Sequence, residues 1–285
     1  MSAISVVITA YNAQDYISET IKSVLNQSFT DFELNIVNYG SIDKIRSFAD
    51  ERIRWIDDCN PERFELLNRG IKASTGKYVV IIDSGSFMHV DMLKTHHSMM
   101  EEYPEITICG SWETVFGKRM SKRIAEQKVS GWVEMPLFQL MLDDLKISST
   151  YTVRKSFIDE NNLLFQHFDY AEDYQFWVET ALLDGGFYIN TQPLVYRRIV
   201  DTNMSGTRRL KKLQSISQVK NKILPSLCHK HHETYPALLN FYNSCIELSG
   251  QNFISEEDIF KLFYSLFMKK KDELFKHSPF KNRTI

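Results

Sequence analysis

The chain of 285 residues has room for one large domain, or for one domain with an appendage. Its 43% hydrophobic and 25% charged residues are ordinary globular proportions, and the absence of any run of 18 or more apolar residues excludes an encoded membrane-spanning helix. The net charge of −2 conceals an asymmetry: residues 206–285 carry +7 and the remainder −9, so the basic tail is expected to face something negative, the acidic body itself included. Cys59, Cys109, Cys228 and Cys245 lie far apart with no CxxC pair, and the N-terminus lacks a basic region followed by a long apolar stretch. Reduced thiols in a cytoplasmic protein without a secretory signal are therefore expected.

Residues 4–12 read as a buried-type strand running into a polar turn. Residues 14–27 read as a helix, because Ile17, Ile21, Val24 and Leu25 recur at helical spacing, with Asn12 set to cap it and Asp15 three positions on. Strand, turn and helix in that order open an α/β fold of the nucleotide-binding kind, which binds ligands at the carboxyl ends of its strands. Residues 33–37 and 53–56 read as the next strands and 62–74 as a helix. Residues 78–82 form a continuous apolar run, as a parallel strand buried on both faces should, ending at Asp83 before a helix over 91–102. No GxGxxG follows the first strand and no GxxxxGK[ST] occurs, which excludes the dinucleotide fingerprint and the P-loop. Further on, 106–115 is strand-like, 134–145 helical, 151–154 a short strand, and 173–183 a helix closed by Gly185-Gly186. Short strands at 187–189 and 194–198 precede a tail that reads as helical throughout.

Several stretches share an order and spacing. They are Val7-Ile8-Thr9-Ala10-Tyr11-Asn12, Ser23-Val24-Leu25-Asn26-Gln27-Ser28, Phe32-Glu33-Leu34, Gly40-Ser41-Ile42-Asp43, Asn68-Arg69-Gly70-Ile71, Ala73 with Gly76, and Ala171-Glu172-Asp173. Together they resemble a family 2 glycosyltransferase. The resemblance implies a GT-A fold: an α/β, Rossmann-like, mostly parallel central sheet flanked by helices, here with a helical C-terminal tail. It implies a glycosyltransferase domain over 1–205, with a nucleotide-binding half at 1–105 and an acceptor half at 106–205, followed by a helical basic extension at 206–285.

The same resemblance assigns the candidate site. Thr9, Ala10 and Tyr11 at a strand end would offer backbone groups and an aromatic wall to a nucleotide base. Asn38-Tyr39 stands where the family usually has two aspartates; Asn38 keeps an acceptor oxygen and loses the charge. Asn68 and Arg69 would lie beside the nucleotide, Arg69 meeting the diphosphate or remaining a solvated helix arginine. The family places Asp-x-Asp or Asp-x-Asp-Asp at the central strand end to hold Mg²⁺ or Mn²⁺, and this chain reads Asp83-Ser84-Gly85-Ser86. Asp83 alone is a weak metal site, because affinity for a hard cation rises with ligand charge. Ser84, Ser86 and His89 are candidate extra ligands, His89 being equally an ordinary loop histidine. Asp173 is expected to be the general base on the acceptor hydroxyl, with Glu172 orienting it or touching the acceptor, although an acidic pair at a helix start also has a plain dipole role. Ser148-Ser149-Thr150 resembles the family's acceptor-side segment. Arg197 or Arg198 is a candidate for the charge missing from the metal motif. Trp112 and Trp132 would stack on sugar rings or simply pack.

In the tail, Arg208, Arg209, Lys211 and Lys212 form a basic cluster. Ile259, Leu262, Phe263, Leu266 and Phe267 form an amphipathic face that ends at Lys269-Lys270-Lys271. That helix would dock on the body, attach peripherally to an anionic inner membrane surface, or pair two copies into a homodimer. The expected function is transfer of a sugar, with inversion, from a nucleotide-sugar donor (UDP-sugar favoured) to a glycan or lipid-linked acceptor in surface polysaccharide synthesis. The alternative is a non-catalytic or strongly altered sugar-nucleotide-binding homologue. Nucleic acid is not an expected partner.

Overall fold

The computed structural model describes residues 2–230, apart from 12–15, 40–45, 47, 58–61, 118–119, 126–128, 142–144, 149 and 200–205, together with helical residues 240, 243, 244 and 247. The Asn12 cap, Asp15, the Gly40–Asp43 stretch, Ser149 and the amphipathic segment ending at Lys271 lie outside the described residues.

Chain order runs β1 (Ile4–Tyr11), α1 (Ile17–Leu25), β2 (Phe32–Tyr39), β3 (Ile53–Asp57), α2 (Arg63–Ala73), β4 (Tyr78–Asp83), β5 (Ser86–Met88), α3 (Met92–Glu102), β6 (Ile106–Gly117), β7 (Met120–Ala125), β8 (Gly131–Trp132), α4 (Pro136–Met141), β9 (Tyr151–Arg154), α5 (Lys155–Asn161), α6 (Glu172–Leu182), β10 (Gly186–Ile199) and α7 (Gly206–Lys230). The main sheet has the order β3-β2-β1-β4-β9-β6-β10-β5. β1 pairs in parallel with β2 and β4, β2 with β3, and β6 with β10. β9 lies antiparallel between β4 and β6, so β3, β2, β1, β4, β6 and β10 all point the same way. This is the mostly parallel α/β sheet that the sequence implies.

The apolar run of β4 shows why three layers form. Tyr78, Val80 and Ile82 face one core, with Ile17 and Ile21 of α1 and Met92 and Leu93 of α3. Val79 and Ile81 face the other, with Leu67 and Ile71 of α2, Phe176 of α6, and Val219 and Ile223 of α7. The side-chain period of two sends alternate residues to opposite faces, and both faces are dry. The first tail helix thus docks on the body. Its Lys211 also pairs with Asp169 at 3.4 Å.

Four details differ from the sequence reading. The expected helix at 134–145 is short, Pro136–Met141. The two expected strands at 187–189 and 194–198 are one bent strand, β10, with register shifts between Asn190 and Val195. α6 does not close on a left-handed glycine. Asp184 takes that conformation (φ 61°), its N–H donating to the Ala181 carbonyl and that of Gly185 to Thr180. Residues 155–161, to which the sequence assigns no element, form α5. Gly76 is required by proximity, since a Cβ there would lie 2.7 Å from the backbone of Ile4 and Ser5.

His96 of α3 is fully buried, with its ring nitrogens 2.8 Å from the Thr152 hydroxyl and 2.6 Å from that of Ser111. Burial pushes its pKa down from 6.5 to about 3. Between those values the unfolded chain binds a proton that the folded chain refuses. Stability should therefore fall as pH drops below about 6.5, by up to ~1.4 kcal/mol per pH unit. Urea unfolding at pH 7 and pH 5 checks this: the wild type should lose more stability across that interval than His96→Gln, and equal losses would remove His96 as the cause.

Candidate functional site

In a βαβ crossover the helix N-terminus follows a strand's carboxyl end, so first-turn residues border the ligand crevice. α2 follows β3 in this way, and its first residue, Arg63, reaches into the space between the end of β4 and the start of α6. Its Nη2 lies 2.8 Å from Asp83 Oδ1, its Nη1 3.1 Å from Asp173 Oδ2, and the same Nη1 3.7 Å from Glu172 Oε2. One guanidinium therefore joins the three acids that the sequence singles out, and Asp83, Glu172 and Asp173 cluster around a single side chain. Burial works against the charge on Arg63, but the carboxylates of Asp173, Asp83 and Glu172 outweigh it and hold its pKa above the usual guanidinium value.

Asp173 is mounted rigidly. α6 is buried through Tyr174, Gln175, Phe176, Trp177 and Val178. The Tyr174 hydroxyl donates to the Leu140 carbonyl at 3.0 Å, and Gln175 accepts from the Gln166 N–H at 3.0 Å. Tyr151 pairs with Ile81 across β9 and β4, two residues before Asp83, and its hydroxyl donates to Asp173 Oδ1 at 2.9 Å. Burial, and then the Asp173 charge, push the Tyr151 pKa well up, so its phenol stays a neutral donor. Glu172 sits deeper, with 14% of its side chain exposed against 21% for Asp173. Burial raises the Glu172 pKa against the opposing pull of Arg63.

At the neighbouring strand ends, Thr9 and Ala10 are buried near the end of β1, with Thr9 paired to Asp83 in the sheet register and Ala10 to Asn38. Tyr11 is the last residue of β1. Asn38 donates its amide to Asp57 Oδ1 at 3.2 Å, and Asp57 also pairs with Arg46, whose hydrogen bond lowers its pKa. A carboxylate thus stands beside Asn38, supplied by β3. Ser84 lies in the turn between β4 and β5, and the Thr20 hydroxyl anchors that turn, 2.8 Å from the Ser84 carbonyl and 2.7 Å from that of Ser86.

Five other candidates are held by the protein's own groups or face solvent. Asn68 donates to the Phe165 carbonyl and accepts from its N–H, each at 2.9 Å, so it ties α2 to the segment leading into α6. Arg69 is exposed on the α2 surface. Arg197 grips Glu113 through Nε at 2.9 Å and Nη2 at 2.7 Å, and Arg198 pairs with Glu19 while stacking between Tyr16 and Phe116. Trp132 packs edge-on against Tyr103 and Tyr188.

The residues present do not fit a divalent cation. Asp83 Oδ1 is committed to Arg63. Positions 85 and 86 carry no carboxylate, although a Cβ at Gly85 would meet nothing within 4 Å, so the space for one exists. His89 Nδ1 accepts from the Asp91 N–H at 3.3 Å. Among the described residues no group of three or more His, Cys, Asp or Glu is set to hold a metal. Arg63 and Tyr151 are the two site residues that sequence reasoning missed. For Arg63 a signal existed: a basic residue in a helix's first turn runs against the dipole and needs nearby acids.

The mostly parallel sheet flanked by helices is a GT-A fold. The chain belongs to glycosyl transferase family 2, whose family model matches residues 5–170. It is 28% identical to an uncharacterized glycosyltransferase of Haemophilus influenzae over 195 residues, 63% of this chain and 60% of that protein. It thus spans about three fifths of that relative's length. It is 24% identical over 182 residues to the UDP-Glc:alpha-D-GlcNAc-diphosphoundecaprenol beta-1,3-glucosyltransferase WfgD of Escherichia coli, covering 61% of this chain and 68% of WfgD. The crystal structure of S. aureus TarS 1-349 superposes with a TM-score of 0.59 at 18% identity, covering 82% of this chain and 72% of that one; TarS has also been solved with UDP and with UDP-GlcNAc. No helix among the described residues is long and apolar enough to cross a membrane.

Asn68→Ala should cost about 1–3 kcal/mol of unfolding free energy, because it leaves both Phe165 backbone groups without their partners. Urea denaturation measures this, and an unchanged midpoint would return Asn68 to a purely ligand-facing role.

Proposed function

We propose that this protein is an inverting glycosyltransferase that moves a sugar from a nucleotide-sugar donor, a UDP-sugar by preference, to a glycan or lipid-linked acceptor in surface polysaccharide synthesis. The observation that carries the reading is the single guanidinium touching both Asp83 and Asp173. The strand end that bears Asp83 and the helix start that bears Asp173 thus lie within reach of one side chain, which supports donor and base at a common centre. Residues 1–105 seat the nucleotide, with Thr9, Ala10, Tyr11, Asn38 and Ser84 around the strand ends and Asp57 beside Asn38. Residues 106–205 receive the acceptor. The helical extension from 206 adds α7 to the body, and its basic distal part supplies peripheral contact with an anionic membrane face or a self-association surface.

In this reading the acceptor hydroxyl attacks the anomeric carbon from the side of α6. The new bond joins acceptor oxygen to that carbon, the bond from carbon to phosphate oxygen breaks, and its electron pair leaves with the nucleoside diphosphate. Asp173 takes the hydroxyl proton as charge develops, because the hydroxyl is far too weak an acid to ionise beforehand. A single displacement inverts the anomeric centre. Tyr151 holds Asp173 Oδ1, so Oδ2, which Arg63 contacts in the free protein, is the oxygen that takes the proton once the guanidinium turns to the donor, and half-buried Glu172 backs it.

Asp173→Asn should bind donor nucleotide nearly as the wild type does and slow transfer by about 10²–10⁴-fold. Calorimetry with UDP and a radiolabelled-sugar transfer assay test the two halves separately. Unchanged turnover would remove Asp173 from the mechanism. Normal nucleotide binding with no transfer by the wild type to any lipid-linked or free glycan would instead favour a sugar-nucleotide-binding homologue without catalysis.

A further inference from the structure

We propose that Arg63 is a built-in counter-ion for the donor's diphosphate, and that this site binds its nucleotide and expels it without a divalent cation. The inference rests on the transferase reading above and specifies how that site handles charge. A leaving nucleoside diphosphate carries negative charge that must be neutralised as the bond to the sugar breaks. Metal would do this through a pair of acids at the end of β4, and here one carboxylate stands there with Gly85 and Ser86 behind it. The open space at Gly85 shows that backbone crowding does not forbid an acid at that position. Without acids at 85 and 86 the site has up to two fewer negative charges than an Asp-x-Asp-Asp turn. That is the charge a divalent ion would have balanced.

Position and chemistry single out Arg63 as the replacement. Its guanidinium lies between the strand end that bears Asp83 and the helix start that bears Asp173, within reach of a phosphate seated at the end of β4. It springs from the first turn of α2, where the helix dipole adds positive potential at the same edge. It keeps its proton under any working condition, and its planar fork matches two phosphate oxygens at once. Its side chain is 29% exposed, so a diphosphate can reach it and exchange with the carboxylates that hold it in the free protein. The neighbouring arginines are engaged elsewhere: Arg197 makes a two-point contact with Glu113, itself only 8% exposed, and Arg198 is held by Glu19 and two aromatic rings.

Calorimetric titration of the full chain with UDP and with GDP, in EDTA and in MnCl₂, tests the proposal. One of the two diphosphates should bind in EDTA with an affinity within about threefold of that in Mn²⁺. Arg63→Gln should weaken that binding by about 10- to 100-fold, and Arg63→Lys should restore part of it. Arg63→Gln also exposes its carboxylate neighbours, so the double variant Arg63→Gln/Asp83→Asn, which returns the site to its original net charge, is the control. It should stay weak if the guanidinium itself grips phosphate. Recovery of wild-type affinity in the double variant, or unchanged affinity in Arg63→Gln, would overturn the proposal. Binding seen only with Mn²⁺ would overturn it while leaving the transferase reading intact. Absence of binding in either buffer would remove both.

Discussion

A guanidinium surrounded by three carboxylates constrains everything around it. Arg63 draws Asp83, Asp173 and Glu172 to within 4 Å of one planar group, although they come from a strand end and a helix start on different parts of the chain. Taking Arg63 away would leave three neighbouring, partly buried carboxylates without their cation, which costs more than the pairs contribute when intact. The cluster therefore depends on a scaffold that holds α2, β4 and α6 in fixed relation. The Asn68–Phe165 bonds, the Tyr151–Asp173 bond and the two dry cores on either face of β4 provide it.

The scaffold has two parts. The parallel part, β3-β2-β1-β4, ends its strands on one edge and places Asn38 and Asp57 there. The second part contributes α6, packed almost all round, so that Asp173 is positioned by burial rather than by a flexible loop. β9 joins them: it lies antiparallel beside β4, and that register puts the Tyr151 hydroxyl against Asp173. A phenol kept neutral by burial can only donate to the carboxylate, which holds Oδ1 and leaves Oδ2 against Arg63.

Much of this was legible in the sequence. The apolar run before Asp83, the helical spacing of Ile17, Ile21 and Val24, and the acidic pair opening α6 each report a local constraint, and each element stands where its pattern puts it. Short β5, β7 and β8 were not legible, because two to six residues at a sheet edge carry too little periodicity to distinguish them from loops. The bend in β10 was hidden for a related reason. Gln192 and Pro193 read as an interruption, while the sheet absorbs them by shifting register against β6.

The candidate site divides in the same way. The sequence by itself determined that carboxylates stand at Asp83, Glu172 and Asp173, that positions 85 and 86 lack them, and that the chain alternates strand and helix so that β4 ends near the ligand edge. Only the tertiary structure decided which cation meets those acids. Arg197 is claimed by Glu113, 84 positions away, and Asn68 by Phe165, 97 positions away, while Arg63 reaches the centre of the cleft. Pairings of that kind follow from strand register and from which helix start abuts which strand end. No local spacing encodes them, because side chains so distant in the chain meet only after the whole sheet has formed.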